Sequence, residues 1–160
     1  MWLGANSKIY RFLLPYLPYA NRYLQANKMS QKTIKPILVG FALGIATIFL
    51  HLLLSDEQGV ELTSFLLVLI GSIYYGFALL SHNKNAMIIE VSVASLFVLM
   101  GVFGLWISPW ILIVGLFFHG LWDIAHHNQK LKLVDIPKWY VPFCATYDWI
   151  LAIYWTFLTL

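Results

Sequence analysis

Charge is what this chain has least of. Only 11% of its 160 residues are Asp, Glu, Lys or Arg, against 61% hydrophobic ones. Soluble domains carry about 25% charged and about 45–50% apolar residues. So little charge cannot cover a water-facing surface, which excludes an ordinary cytosolic enzyme. A disordered chain is excluded too, since disorder needs low hydrophobicity and high charge. Cysteine is nearly absent, and the lone Cys144 excludes an intramolecular disulfide scaffold. With a mean hydropathy of +0.76, what remains is an all-α, multi-pass integral membrane protein. The net charge of +3 does not indicate nucleic acid, because the basic residues flank apolar runs, where they orient membrane proteins.

Crossing the hydrocarbon core as a helix takes about 20 mostly apolar residues. Five segments qualify: about Pro36 to Leu54, Val60 to Leu80, Ala86 to Ile107, Trp110 to His127 and Val141 to Leu160. Pro36, Pro109 and Pro142 stand at or near helix starts, where a missing N–H matters little. Ser55–Gly59 and Ser81–Asn85 are polar turns, and Ser108-Pro109 is a tight break. Residues 128–140 form a basic loop whose Trp139-Tyr140 pair reads as an interfacial anchor. Trp106, Trp110 and Trp155 fit the same aromatic belts. Five spans cannot split into equal halves, which argues against an inverted-repeat transporter.

Residues 1–31 differ from the membrane domain, 32–160. They mix Trp2, Tyr10, Phe12 and Leu14 with Lys8, Arg11 and Arg22, and Pro15 and Pro18 interrupt them. An amphipathic segment lying on the membrane fits this pattern; Met29 as an alternative start would make the preceding residues an extension. Lys8, Arg11, Arg22, Lys28, Lys32 and Lys35 precede the first span. Lys84 lies between the second and third, and Lys130, Lys132 and Lys138 between the fourth and fifth. The other two links contain no Lys or Arg. The positive-inside rule therefore predicts the N-terminus inside and the C-terminus outside. Gly40 with Gly44, and Ser72 with Gly76, are small-x-x-x-small steps that let helices approach closely. They serve packing within the monomer first, and leave a homo-oligomer open.

Ionisable groups within spans are expensive, about 2.5 to 3.5 kcal/mol each on insertion scales, and by default mark function. Near the inner end of the fourth span, His119, Asp123 and His126 or His127 share one helical face. At about 1.5 Å rise per residue, His119 lies about 12 Å and Asp123 about 6 Å from that end. Glu90 is about 6 Å deep in the third span and Asp148 about 10 Å deep in the fifth. Cys144, Tyr147, Tyr74 and Tyr75 lie at comparable depth. The three acids and three histidines thus form one layer near the cytoplasmic side.

Imidazole and carboxylate are the usual ligands of zinc and non-haem iron. His119, Asp123, His126 and Glu90 are the candidate ligands of a divalent metal. Asp148, His127 and Tyr147 are the candidate acid–base groups. His119 and His126, about 10 Å apart along the axis, would need a distorted helix to share an ion. A structural network is the alternative, with Asp123 holding His119 and His127 while Glu90 neutralises His126. His82 reads as a loop residue, and His51 lies near the outer face, outside the layer. Trp122 and Trp149 flank the acids and could line an apolar cleft.

The stretch from His119 through Trp122-Asp123 to His126-His127, with that from Trp139 to Trp149, resembles a family of small bacterial multi-pass membrane proteins of uncharacterised function. The likeness covers about the last 125 residues and implies a location in the bacterial cell membrane. The cluster is also similar in kind to the histidine boxes of membrane fatty-acid desaturases and hydroxylases, with fewer histidines. It is likewise similar in kind to membrane zinc amidohydrolases of the ceramidase and adiponectin-receptor group, with fewer spans. These resemblances imply a metal-dependent enzyme acting on a lipid or other apolar molecule. Ion or proton transport, or a non-catalytic subunit, is the competing class.

Overall fold

A computed structural model describes the backbone of residues 17–127 and 133–160, and the side chains of 33–126 and 133–160. The chain divides into two units, residues 1–35 and 36–160. The interfacial segment expected before residue 32 lies largely outside the described residues.

Five helices follow in order: α1 (Leu17–His51), α2 (Asp56–Leu79), α3 (Lys84–Trp106), α4 (Pro109–His127) and α5 (Tyr140–Thr159). Among the described residues there is no strand, and all five helices contain a stretch long and apolar enough to cross a membrane. In lipid every backbone polar group must be bonded within its own segment, so helices are what such runs form. Their outward faces are oily, with Leu53, Phe65, Leu79, Trp106 and Phe157 all more than 60% exposed. A monomer in water does not present so much contiguous apolar surface. The protein is therefore an all-helical integral membrane protein.

Local signals set the helix ends. Ser55 caps α2 through a reciprocal pair, its Oγ accepting from the Gln58 amide and Gln58 Oε1 accepting from its own. Asn83 caps α3 by accepting from the amides of Asn85 and Ala86. Pro109 is the first residue of α4, as expected. Pro36 is not a helix start; it lies inside α1. Membrane helices tolerate this because neighbouring groups can satisfy the carbonyl that proline leaves free.

Within the second unit, α2 packs on α3 and α4 on α5, while α4 also meets α2 and α3. Gly40 lies against the Phe143 backbone, and a Cβ on Gly44 would come within 2.9 Å of Ile150. The first small-residue step therefore seats α1 on α5, within the monomer. The second does not pack: Gly76 has open space beside it, and Ser72 bonds the Val68 carbonyl of its own turn. Gly71 and Gly101 make the α2–α3 contact instead, against Phe97 and Val68.

The fully buried Leu67, Leu116 and Leu151 form an aliphatic band at mid-height, with Leu112 one turn nearer the α3–α4 turn. A polar group lies at each end of it. On the α1–α2 turn side, His51 Nε2 is 3.1 Å from Thr63 Oγ1, which accepts the Trp155 indole N–H at 2.6 Å. Trp155 is therefore a core residue, not a belt residue. Tyr140 is also buried, whereas its neighbour Trp139 is exposed as an anchor should be. The preference of indole and phenol for an interface yields when a buried hydrogen-bond partner is available.

Candidate metal centre

The second polar group is built on α2, α4 and α5. His119 and Asp123 are four residues apart on α4 and face the same way. Asp148 and Cys144 repeat that spacing on α5. All four are within 1% of complete burial. One ligand atom from each lies within 4.8 Å of the corresponding atoms of the other three. This His119, Asp123, Cys144 and Asp148 group can hold a metal ion.

The bonds inside the group define its chemistry. His119 Nδ1–H donates to Asp148 Oδ2 at 2.7 Å, with Asp123 Oδ2 at 3.8 Å. The Tyr74 hydroxyl of α2 donates to Asp123 Oδ1. The rings of Phe97 and Tyr74 stand edge-on to the imidazole, with centroids 4.8 and 5.3 Å away. The Cys144 thiol lies against both carboxylates, and its Sγ is 3.6 Å from Tyr140 Oη. Three buried atoms make no hydrogen bond of ordinary geometry: His119 Nε2, Asp123 Oδ2 and Asp148 Oδ1. Buried polar atoms are normally satisfied, and each exception asks for a partner.

Close helix approach makes this possible. A Cβ on Gly120 would stand 2.6 Å from Trp149 Nε1, so only glycine lets α5 come this near beside His119. Trp149 is fixed in turn by donating Nε1–H to the Phe117 carbonyl at 3.2 Å.

Glu90 and His126 lie outside this group and satisfy each other. Glu90 Oε1 accepts the Trp122 indole N–H at 2.9 Å, and Oε2 meets His126 Nε2 at 3.2 Å. His126 Nδ1–H donates to the Trp122 carbonyl. A single proton between Nε2 and Oε2 keeps the pair neutral overall, whichever atom carries it, and no ring nitrogen or carboxylate oxygen is left over. This is the arrangement the salt-bridge alternative expects of these two residues. The helix axis explains it: His126 is two turns beyond His119, too far to share its partners. Tyr147 also points elsewhere, its hydroxyl 3.0 Å from Thr47 Oγ1 of α1. His127 ends α4, and its side chain lies outside the described residues. Of the sequence candidates, then, the structure joins His119, Asp123 and Asp148. It adds Cys144, marked in the sequence only by depth and by its i, i+4 relation to Asp148.

No curated protein and no solved structure matches the chain. Residues 31–159 match a protein family described as a family of unknown function (DUF6010). That match spans all five apolar stretches and every residue of the cluster, so the chain belongs to this family.

Proposed function

We propose that this protein is a metal-dependent membrane enzyme acting on a lipid or another apolar molecule at the cytoplasmic leaflet. One observation carries the reading: two carboxylates, an imidazole and a thiol gathered in a wholly buried site, with polar atoms left unpartnered. Asp123 and Asp148 face a single histidine, and among the described residues no Lys or Arg forms an ion pair with either. With both carboxylates ionised, as metal ligands are, even a protonated His119 would leave one negative charge over. An uncompensated buried charge is among the costliest features a fold can carry. A divalent cation cancels two carboxylates, and it gives the atoms without hydrogen bonds a partner. Nitrogen and carboxylate donors suit zinc or ferrous iron.

A bound zinc would supply Lewis acidity and an activated water for hydrolysis, and iron would supply oxidation chemistry. The chain's own residues have distinct parts. Asp148 fixes the His119 ring by accepting from Nδ1, which leaves Nε2 as the basic atom. Tyr74 fixes Asp123. Phe97 and Tyr74 keep water away from the imidazole. An apolar substrate is supported by a groove of about 660 Å³ along α4 and α5, lined by Phe117, Phe118, Leu121, Trp149 and neighbouring apolar side chains. The positive-inside pattern supports the cytoplasmic side. Transport is less well supported, because the step between the inner and outer groups, Thr47 with Tyr147, holds no acid or histidine.

Metal analysis of detergent-purified protein tests the reading, beside a His119→Ala, Asp123→Ala double variant. We expect one zinc or iron per chain in the wild type and none in the variant. Sub-stoichiometric metal in the wild type, or equal metal in both, would refute it.

A further inference from the structure

We infer that Cys144 is itself a ligand, so that the ion is thiophilic, of the zinc or ferrous-iron class, and not magnesium, calcium or manganese. The inference rests on the metal-site reading above and adds the thiolate to it. Cys144 is 1% exposed and offers sulfur within 4.8 Å of the other three ligand atoms. A free buried cysteine ordinarily behaves as a small hydrophobe among apolar neighbours. This one lies instead against two carboxylates, each with an oxygen lacking a hydrogen bond. From there the sulfur can reach an ion held by those carboxylates.

The surroundings of the two ligands match. Metal-binding groups are oriented by outer partners that donate to them. Tyr74 O–H donates to Asp123 Oδ1, and Tyr140 Oη stands 3.6 Å from Cys144 Sγ. On binding, the S–H bond breaks, sulfur keeps the electron pair for the metal, and the proton passes to Asp148 Oδ1, which has no other partner, so that thiolate, Asp123 carboxylate and divalent ion sum to zero. The Tyr140 hydroxyl then turns to donate to the thiolate. Two buried phenols would thus each support one anionic ligand. Nitrogen, sulfur and two oxygens from four residues make a tetrahedral set that thiolate-accepting metals take. Hard ions prefer all-oxygen shells. Zinc also accepts a fifth ligand during a reaction, so four protein donors do not preclude chemistry.

Cobalt(II) loading of the full-length protein tests this, since Cys144 is the chain's only cysteine. We expect one cobalt per chain and a near-ultraviolet sulfur-to-cobalt charge-transfer band in the wild type. Cys144→Ser should lose the band and keep weaker visible bands, because His119, Asp123 and Asp148 remain. Its cadmium affinity relative to manganese should fall about tenfold or more. Bound cobalt without the band in the wild type, or a band surviving in Cys144→Ser, would overturn thiolate ligation and leave the metal site standing. Failure of the wild type to bind cobalt, zinc or cadmium would overturn both. The wild-type spectrum decides the matter even if the variant does not fold.

Discussion

Gly120 is where the assembly of the centre is most exposed to a small change. A methyl group there would stand 2.6 Å from Trp149 Nε1 and 2.8 Å from Cδ1. Ordinary contact begins near 3.4 Å, so the indole or the helix must retreat by about 0.8 Å. The indole cannot swing freely, because its N–H is held by the Phe117 carbonyl of α4. If α5 takes up the movement, the 2.7 Å bond between His119 and Asp148 stretches to the edge of hydrogen bonding. Overpacking of this kind costs about 1–3 kcal/mol, and each 1.4 kcal/mol is about tenfold in an equilibrium. Gly120→Ala should therefore lower the thermal midpoint in detergent and weaken zinc binding about ten- to a hundredfold. Chelator competition measures the second effect and thermal size-exclusion chromatography the first. Trp149→Ala removes the clashing Nε1 and Cδ1 atoms, so the double variant should recover most of the lost zinc affinity. Wild-type binding and stability in Gly120→Ala, or no recovery in the double variant, would refute the argument that close helix approach builds the site.

Three further outcomes follow from the same contacts. Tyr74→Phe keeps the ring but leaves Asp123 Oδ1 without its donor, so zinc affinity should fall about tenfold while the fold survives, read by the same competition assay. His126→Ala leaves Glu90 buried beside a single donor; it should cost about 3–5 kcal/mol of stability yet leave metal content unchanged, which separates the outer pair from the centre. Single cysteines placed at Asp56 and Lys138 in a Cys144→Ser background should react with an impermeant maleimide from opposite sides, and labelling from one side would refute the predicted orientation.

Length and apolar runs made the five helices legible, because the membrane leaves few alternatives, and apart from the start of α1, at Leu17 instead of near Pro36, the helix ends differ from expectation by four residues or fewer. Pro36 lies inside α1 and not at its start, because neighbouring groups in a membrane helix can satisfy the carbonyl that proline leaves free. The layer of acids and histidines was also legible, since depth follows from position along a helix. Partner choice was not. Glu90, Asp123 and Asp148 lie within about one helical turn of one another in depth, and only the rotation of each helix decides which meet. Nothing local distinguishes His126, which closes on Glu90, from His119, which joins the group. Cys144 gave no signal beyond its spacing, and Trp155 looked like a belt residue until Thr63 of another helix was seen beneath it.

The leucine band has a consequence for how the two polar groups are separated. Leu67, Leu116 and Leu151 are completely buried, and they separate the histidine group near one face from the carboxylate group near the other. On the side of α1 the hydroxyls of Thr47 and Tyr147, 3.0 Å apart, are the polar step across that height. The aliphatic seal thus lies on α2, α4 and α5, and the hydroxyl step between the two polar groups lies where α5 meets α1.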